Sequence, residues 1–212
     1  RSPNCQQFAH ENPWVYPYAK FKALKNHFQF THWKTWPKDP SFPGIESETE
    51  WRVAIQWIAN EQMSSMKYYA ETKRVDLMGD IPILVSPDSA DVYNNPDLFD
   101  LSLSAGAPPD MYNKEGQNWG FPLYNFSKLE QCNFTFWKER LHTASKLFHL
   151  YRIDHIVGFF RIWAIPEGKK ANEGHFVPEN PSKWVPQGET FLKMMLRESP
   201  MQPIGEDLGV IP

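Results

Sequence analysis

The chain has 212 residues, with 22 basic against 25 acidic side chains and a formal charge of -3, the length of one ordinary domain or of part of a larger one. That balance creates no single-sign field for nucleic acid or an anionic membrane, so a neutral substrate fits better. Cys5 and Cys132 stand far apart without CxxC or Cys/His spacing, which argues against a zinc site and a disulfide framework and for a reducing compartment.

No apolar run approaches the roughly 18 to 20 residues of a spanning helix, and no basic-then-apolar leader opens the chain, so a soluble, cytoplasmic protein is expected. The first residue is Arg1 rather than Met, which points to processing or to a fragment. Aromatic residues make up 15% of the sequence, with 9 Trp, 8 Tyr and 15 Phe. They can fill a core or serve as stacking platforms for sugar rings.

In chain order, Trp14, Val15, Tyr18, Phe21 and Leu24 recur at spacings of three and four and predict an amphipathic helix over 11–25. Pro37, Pro40 and Pro43 then deny the backbone helix donors across a loop over 30–44. Ser47 and Glu50 read as a capping box opening a long helix to about Lys73. Its stripe of Trp51, Ala54, Ile55, Ile58, Met63, Met66 and Tyr69 is expected in the core.

Val75 to Val85 predicts a strand apolar enough to be buried on both faces. Residues 86–123, rich in Gly, Pro and Asp, are expected to be irregular, and so long a loop usually carries function. A helix over 130–150 feeds a strand over 151–154. A further irregular stretch follows over 166–188, then a helix over 189–197 and a strand over 202–206. This alternation predicts an α/β protein with parallel strands, whose polar residues at the carboxyl ends line a site; Asp80, Asp154 and Glu206 all fall there.

Alternation along an extended segment puts Arg152 and Asp154 on one face. A guanidinium that close lowers a carboxyl pKa by about 1 to 3 units, which suits a nucleophile and leaves Glu206 as the proton donor. Asp207 points to the opposite face from Glu206 and is expected to be structural. Asp80 can either line a site or simply end its strand. His155 can either meet a substrate or satisfy a backbone carbonyl.

Arg152-Ile153-Asp154-His155, followed by Gly158-Phe159-Phe160-Arg161 and Trp163-Ala164-Ile165-Pro166, resembles the 4-α-glucanotransferases known as amylomaltases or disproportionating enzymes. Gly79-Asp80-Ile81-Pro82-Ile83, Asp88-Ser89-Ala90-Asp91-Val92, Gly106-Ala107-Pro108-Pro109-Asp110, Gly116-Gln117-Asn118-Trp119-Gly120, Pro122-Leu123-Tyr124 and Gly205-Glu206-Asp207-Leu208-Gly209 look like that family's signatures in its order. Tyr93 and Tyr112 depart from it by one aromatic for another.

The resemblance implies a (β/α)8 barrel of the α-amylase clan with insertions, here a partial barrel. Residues 1–212 would be an internal part of the catalytic domain, with an inserted active-site loop region over 86–124. It implies transfer of α-1,4-glucan segments by a retaining double displacement, with Asp154 as nucleophile and Glu206 as general acid/base, whose pKa must be raised for that task. Arg152, His155, Asp80, Asp110, Gln117 and Trp119 are the implied substrate contacts. The implied partners are α-1,4-glucans and maltooligosaccharides, with no cofactor, no metal, no nucleic acid and no membrane. The family's third acid would lie beyond Pro212 and the early barrel strands before Arg1, so the chain alone is expected to be inactive and, with exposed sheet edges, poorly stable. Hydrolysis by the same clan and non-catalytic glucan binding are the competing readings.

Overall fold

A computed structural model describes residues 2–206, which divide into two compact units, 2–73 with Asp88–Pro96 and Arg74–Pro87 with 97–206.

The first unit is helical. Helix α1 (Pro3–Glu11) starts with Pro3 in the first turn and Ser2 as cap, and α2 (Val15–His27) follows after a break at Asn12. Cys5, Phe8, Ala9, Val15, Ala19 and Val53 form one buried cluster, and Phe21, Leu24, Trp36 and Ile45 form another. Tyr93, on the short helix α4 (Ala90–Asn94), packs its ring on Phe21, Trp33 and Trp36. The long helix α3 (Ile45–Thr72) differs from expectation in two ways. It starts two residues before Ser47, because Gly44 takes the left-handed conformation (φ 90°) that closes the preceding turn. The expected core stripe is also turned outward: Trp51, Ile58 and Tyr69 are 61%, 45% and 63% exposed, and the buried face is Ile45, Thr49 and Val53. Period reveals an apolar face but not what covers it.

The second unit contains the expected parallel sheet, built from β1 (Met78–Ile81), β4 (Leu150–Ile153) and β7 (Gln202–Gly205) with β4 in the middle. Asp80 pairs in register with Arg152, and Arg152 with Ile204. Tyr151 and Ile153 are buried, while Arg152 between them keeps part of its side chain exposed, as the pleat requires. Gly79 lies under the Phe148 ring, which a Cβ would meet at 2.6 Å.

A second sheet, entirely antiparallel, was not foreseen. Its order is β3-β2-β5-β6, from β2 (Phe99–Ala107), β3 (Gln117–Tyr124), β5 (Ile162–Pro166) and β6 (His175–Val177). The stretch expected to be irregular is therefore mostly a hairpin of β2 and β3. Its glycines and prolines are consistent with strands because the pairing slips between Asp100 and Ser104 and between Ala105 and Gly106. Gly106 sits against the carbonyl of Gln117, where a Cβ has no room.

The helix expected over 130–150 is two helices, α5 (Phe126–Gln131) and α6 (Thr135–Ser145), separated by Asn133 and Phe134 in the left-handed region. Helix α7 (Trp184–Glu198) begins five residues earlier than expected, since Pro186 falls in the first turn, where the chain needs no donor. Trp137, Phe159 and Phe191 pack their rings together at centroid distances of 4.3 to 5.3 Å. Those aromatics are core.

Candidate active site

At the carboxyl ends of the three parallel strands, one guanidinium touches three carboxylates. Arg152 Nη1 donates to both oxygens of Asp80 at 3.1 and 3.0 Å, and Nη2 donates to Asp154 Oδ1 at 2.8 Å and to Glu206 Oε1 at 2.6 Å. The geometry follows from the register: Asp80 and Arg152 are partners on adjacent strands, and Asp154 and Glu206 are the first residues past β4 and β7. Among these four, Asp80 is the most exposed at 62% and Glu206 the least at 18%.

Glu206 is held by the backbone as well. Its amide donates to the Ile153 carbonyl at 3.0 Å, and its Oε2 accepts from the His155 amide at 2.8 Å. His155 is left-handed (φ 51°, ψ 52°), which aims that amide across to β7. A non-glycine residue in that region is uncommon, and such strain concentrates at working sites.

The ionisation pattern reverses the expected one. Partial burial, and then the hydrogen-bonded Glu206 carboxylate, raise the pKa of Asp154 against the opposing pull of Arg152. The His155 amide, followed by Arg152 and Asp154, lowers that of Glu206. Arg152 Nη2 is shared by Asp154 and Glu206, and the His155 amide adds its bond to Glu206 alone. Of the two acids, the geometry therefore favours the ionised form more strongly at Glu206 than at Asp154. Burial lowers the pKa of the His155 ring, keeping it neutral at neutral pH.

The His155 ring meets Trp119 edge to face at a centroid distance of 4.9 Å. Trp119 Nε1 donates to Gln117 Oε1 at 3.0 Å. Those two residues of β3 therefore join the carboxylate cluster through His155. Asp110 does not: its Oδ1 accepts from the amides of Tyr112 at 2.8 Å and Asn113 at 2.6 Å, forming the hairpin turn. Asp207 lies outside the described residues.

A sequence model of the family described as 4-alpha-glucanotransferase matches residues 1–212. The chain belongs to the 4-alpha-glucanotransferase family. It is 43% identical over 210 residues to the 4-alpha-glucanotransferase of Chlamydia pneumoniae, covering 95% of this chain and 39% of that protein. Against the Thermus thermophilus 4-alpha-glucanotransferase the figures are 35% over 215 residues, 93% and 42%. The chain thus spans about two fifths of the length of these relatives. In three dimensions it resembles the amylomaltase from Streptococcus agalactiae solved with acarbose (TM-score 0.83, 28% identity, 98% of this chain and 44% of that one). The amylomaltase of Corynebacterium glutamicum has the same fold over this region (TM-score 0.81, 24% identity, covering 99% of this chain and 29% of that one).

Within this member of the family, two contributors escaped the reading of side-chain types, the His155 amide and the Ile153 carbonyl. The signal for the first was present in the glycines. Gly205 leaves room for Ile156, whose Cδ1 a Cβ would meet at 2.6 Å, and Gly158 leaves room for the His155 ring, whose Cδ2 a Cβ would meet at 2.9 Å. No helix among the described residues is long and apolar enough to cross a membrane.

Proposed function

We propose that this segment supplies two of the catalytic carboxylates of a 4-α-glucanotransferase, acting on α-1,4-glucans such as starch, glycogen and maltooligosaccharides by retaining double displacement. The observation that carries the reading is the Arg152 cluster: Asp154 and Glu206 meet one guanidinium at the ends of adjacent parallel strands. We assign Asp154 as nucleophile, Glu206 as general acid/base, and Arg152 and Asp80 as the groups that hold them. Trp119 offers a stacking face and Gln117 an amide for glucose hydroxyls. The three parallel strands are consistent with part of a (β/α)8 barrel, and residues 86–124, which include the β2–β3 hairpin, are assigned as its active-site insertion.

The chemistry requires a rearrangement. Retention places the two carboxyls about 5 to 5.5 Å apart with the sugar between them. Asp154 and Glu206 both meet Nη2 of Arg152, so a glucan entering between them must part them and put the proton on Glu206. Arg152 then has one fewer carboxylate on Nη2 and can hold Asp154 ionised for attack on the anomeric carbon. Glu206 gives its proton to the departing glycosidic oxygen. It then takes one from the incoming glucan hydroxyl as the covalent glycosyl ester on Asp154 is displaced. An acceptor hydroxyl in place of water makes the outcome transfer.

Because the chain spans about two fifths of the length of its relatives, activity is expected of a protein of full family length that carries this segment. With maltotriose it should build a ladder of longer maltooligosaccharides, and Asp154→Asn or Glu206→Gln should lower that rate by at least about 10²- to 10⁴-fold. The 212-residue chain alone should build almost none. Accumulating reducing ends without a ladder would replace transfer by hydrolysis. Full activity in either variant would remove the assignment.

A further inference from the structure

We propose that His155 is the positioning residue for Glu206, and that its ring, seated against Trp119, ties the hold on that carboxylate to the place of the β2–β3 hairpin. The inference rests on the assignment of Glu206 as acid/base and adds what controls its orientation.

Six contacts carry it. The Glu206 amide donates to Ile153 and its Oε2 accepts from His155, so two hydrogen bonds close a ring between the ends of β7 and β4. The amide reaches Oε2 because His155 is left-handed, and the Gly158 amide donating to the His155 carbonyl at 2.8 Å fixes the turn that follows. The ring is confined on one side by the face or edge of Trp119 and on another by the space left at Gly158. Ile156, packed where Gly205 has no side chain, braces the same turn against β7.

Packed between Trp119 and the space left at Gly158, the ring has little room to turn about its own bonds, so a shift of Trp119 is passed to the backbone that carries the amide. A glucan that stacks on Trp119 therefore acts on Glu206 at the far end of this chain of contacts. Movement of the ring that draws the amide away from Oε2 removes the bond favouring the ionised carboxylate, and the proton moves toward Glu206. Arg152 from β4, Asp80 from β1 through the same guanidinium, and Asp154 from the turn are the other charged groups around it.

The test is an NMR titration of the chain, following the Glu206 side-chain carboxyl carbon and the His155 amide proton. Trp119→Ala should raise the Glu206 midpoint and move the His155 amide upfield, and Trp119→Phe should return most of both shifts. His155→Gly, which keeps the amide and tolerates the left-handed backbone, should raise the midpoint in the same direction. In the full-length protein Trp119→Ala should move the alkaline limb of kcat/KM to higher pH, beyond any loss from stacking. An unmoved Glu206 midpoint in both Trp119→Ala and His155→Gly overturns the proposal. Loss of activity in Glu206→Gln with that unmoved midpoint sinks this inference alone, whereas full activity in Glu206→Gln sinks the assignment beneath it.

Discussion

Two cations in this chain are surrounded by oxygen, and they differ in stoichiometry. Lys25, only 9% exposed, donates to Asp88 at 2.6 Å and to the carbonyls of Phe30 and Thr31 at 3.0 and 2.8 Å. Three donors meet three oxygens, only one of them charged, and the left-handed backbone at Gln29 and Phe30 is pinned by the arrangement. Arg152 instead faces three carboxylates and leaves negative charge uncompensated. Both lie among family-like motifs, Asp88 in one and Arg152 in another. A matched cluster holds the chain together, whereas an unmatched one stores charge that a substrate can redistribute.

The largest effect that separates them is on stability. Lys25→Ala should lower the unfolding free energy of the chain by about 3 kcal/mol, as expected when one partner of a buried pair is removed. It also strips two carbonyls of their donor. Chemical denaturation would show this as a fall in midpoint at unchanged slope. Arg152→Ala should cost less, because its carboxylate partners are partly exposed and water can solvate them once the guanidinium is gone. Equal losses would erase the distinction.

Next comes pH, where two acids of one cluster should behave oppositely. The folded pKa of Asp154 is raised, so its contribution to stability is present below the unfolded pKa and is lost as pH rises through the folded one. Asp154→Asn should therefore melt slightly higher than the unsubstituted chain at neutral pH, with the gap closing in acid. For Glu206 the folded pKa is lowered, so its contribution is present above the unfolded pKa and is lost as pH falls through the folded one. Glu206→Gln should melt lower at neutral pH, and that gap should also close in acid. Thermal melts across pH 3 to 7.5, roughly the span around ordinary carboxyl values, read both. Gaps of the same sign would mean that the His155 amide does not discriminate between the acids.

What could be read from sequence follows the same division. The parallel strands and the convergence of Asp80, Arg152, Asp154 and Glu206 were legible because strand alternation and strand-end position are local rules. The β2–β3 hairpin was not, since Gly106 and Pro122 argue locally against strands and only the shifted pairing accommodates them. The exposed face of α3 was read as core because apolar spacing carries no information about a partner. The directions of the two carboxyl pKa shifts differ from expectation for a related reason: a side-chain inventory counts Arg152 once for each acid, but the molecule has one guanidinium and a backbone amide that sequence cannot aim.

The smallest effect concerns Asp110, which the family resemblance makes a substrate contact and the structure makes a turn. Its Oδ1 takes two amides, from Tyr112 and Asn113, and Asn113 returns a carbonyl to the Asp110 amide at 3.0 Å. An asparagine keeps that acceptor oxygen and favours the same turn, but has no charge. Alanine keeps neither. If Asp110 acts only by shaping the hairpin that presents Gln117 and Trp119, Asp110→Asn in the full-length protein should leave KM for maltotriose unchanged. Asp110→Ala should raise it by a factor of roughly 2 to 5, the worth of one modest hydrogen bond. If its charge instead grips a glucose hydroxyl, both substitutions should raise KM, and asparagine's retention of the turn would not rescue it. The pair of variants thus asks of a single exposed carboxylate what the comparison of Lys25 with Arg152 asks of whole clusters: whether its oxygens are already spoken for by the fold.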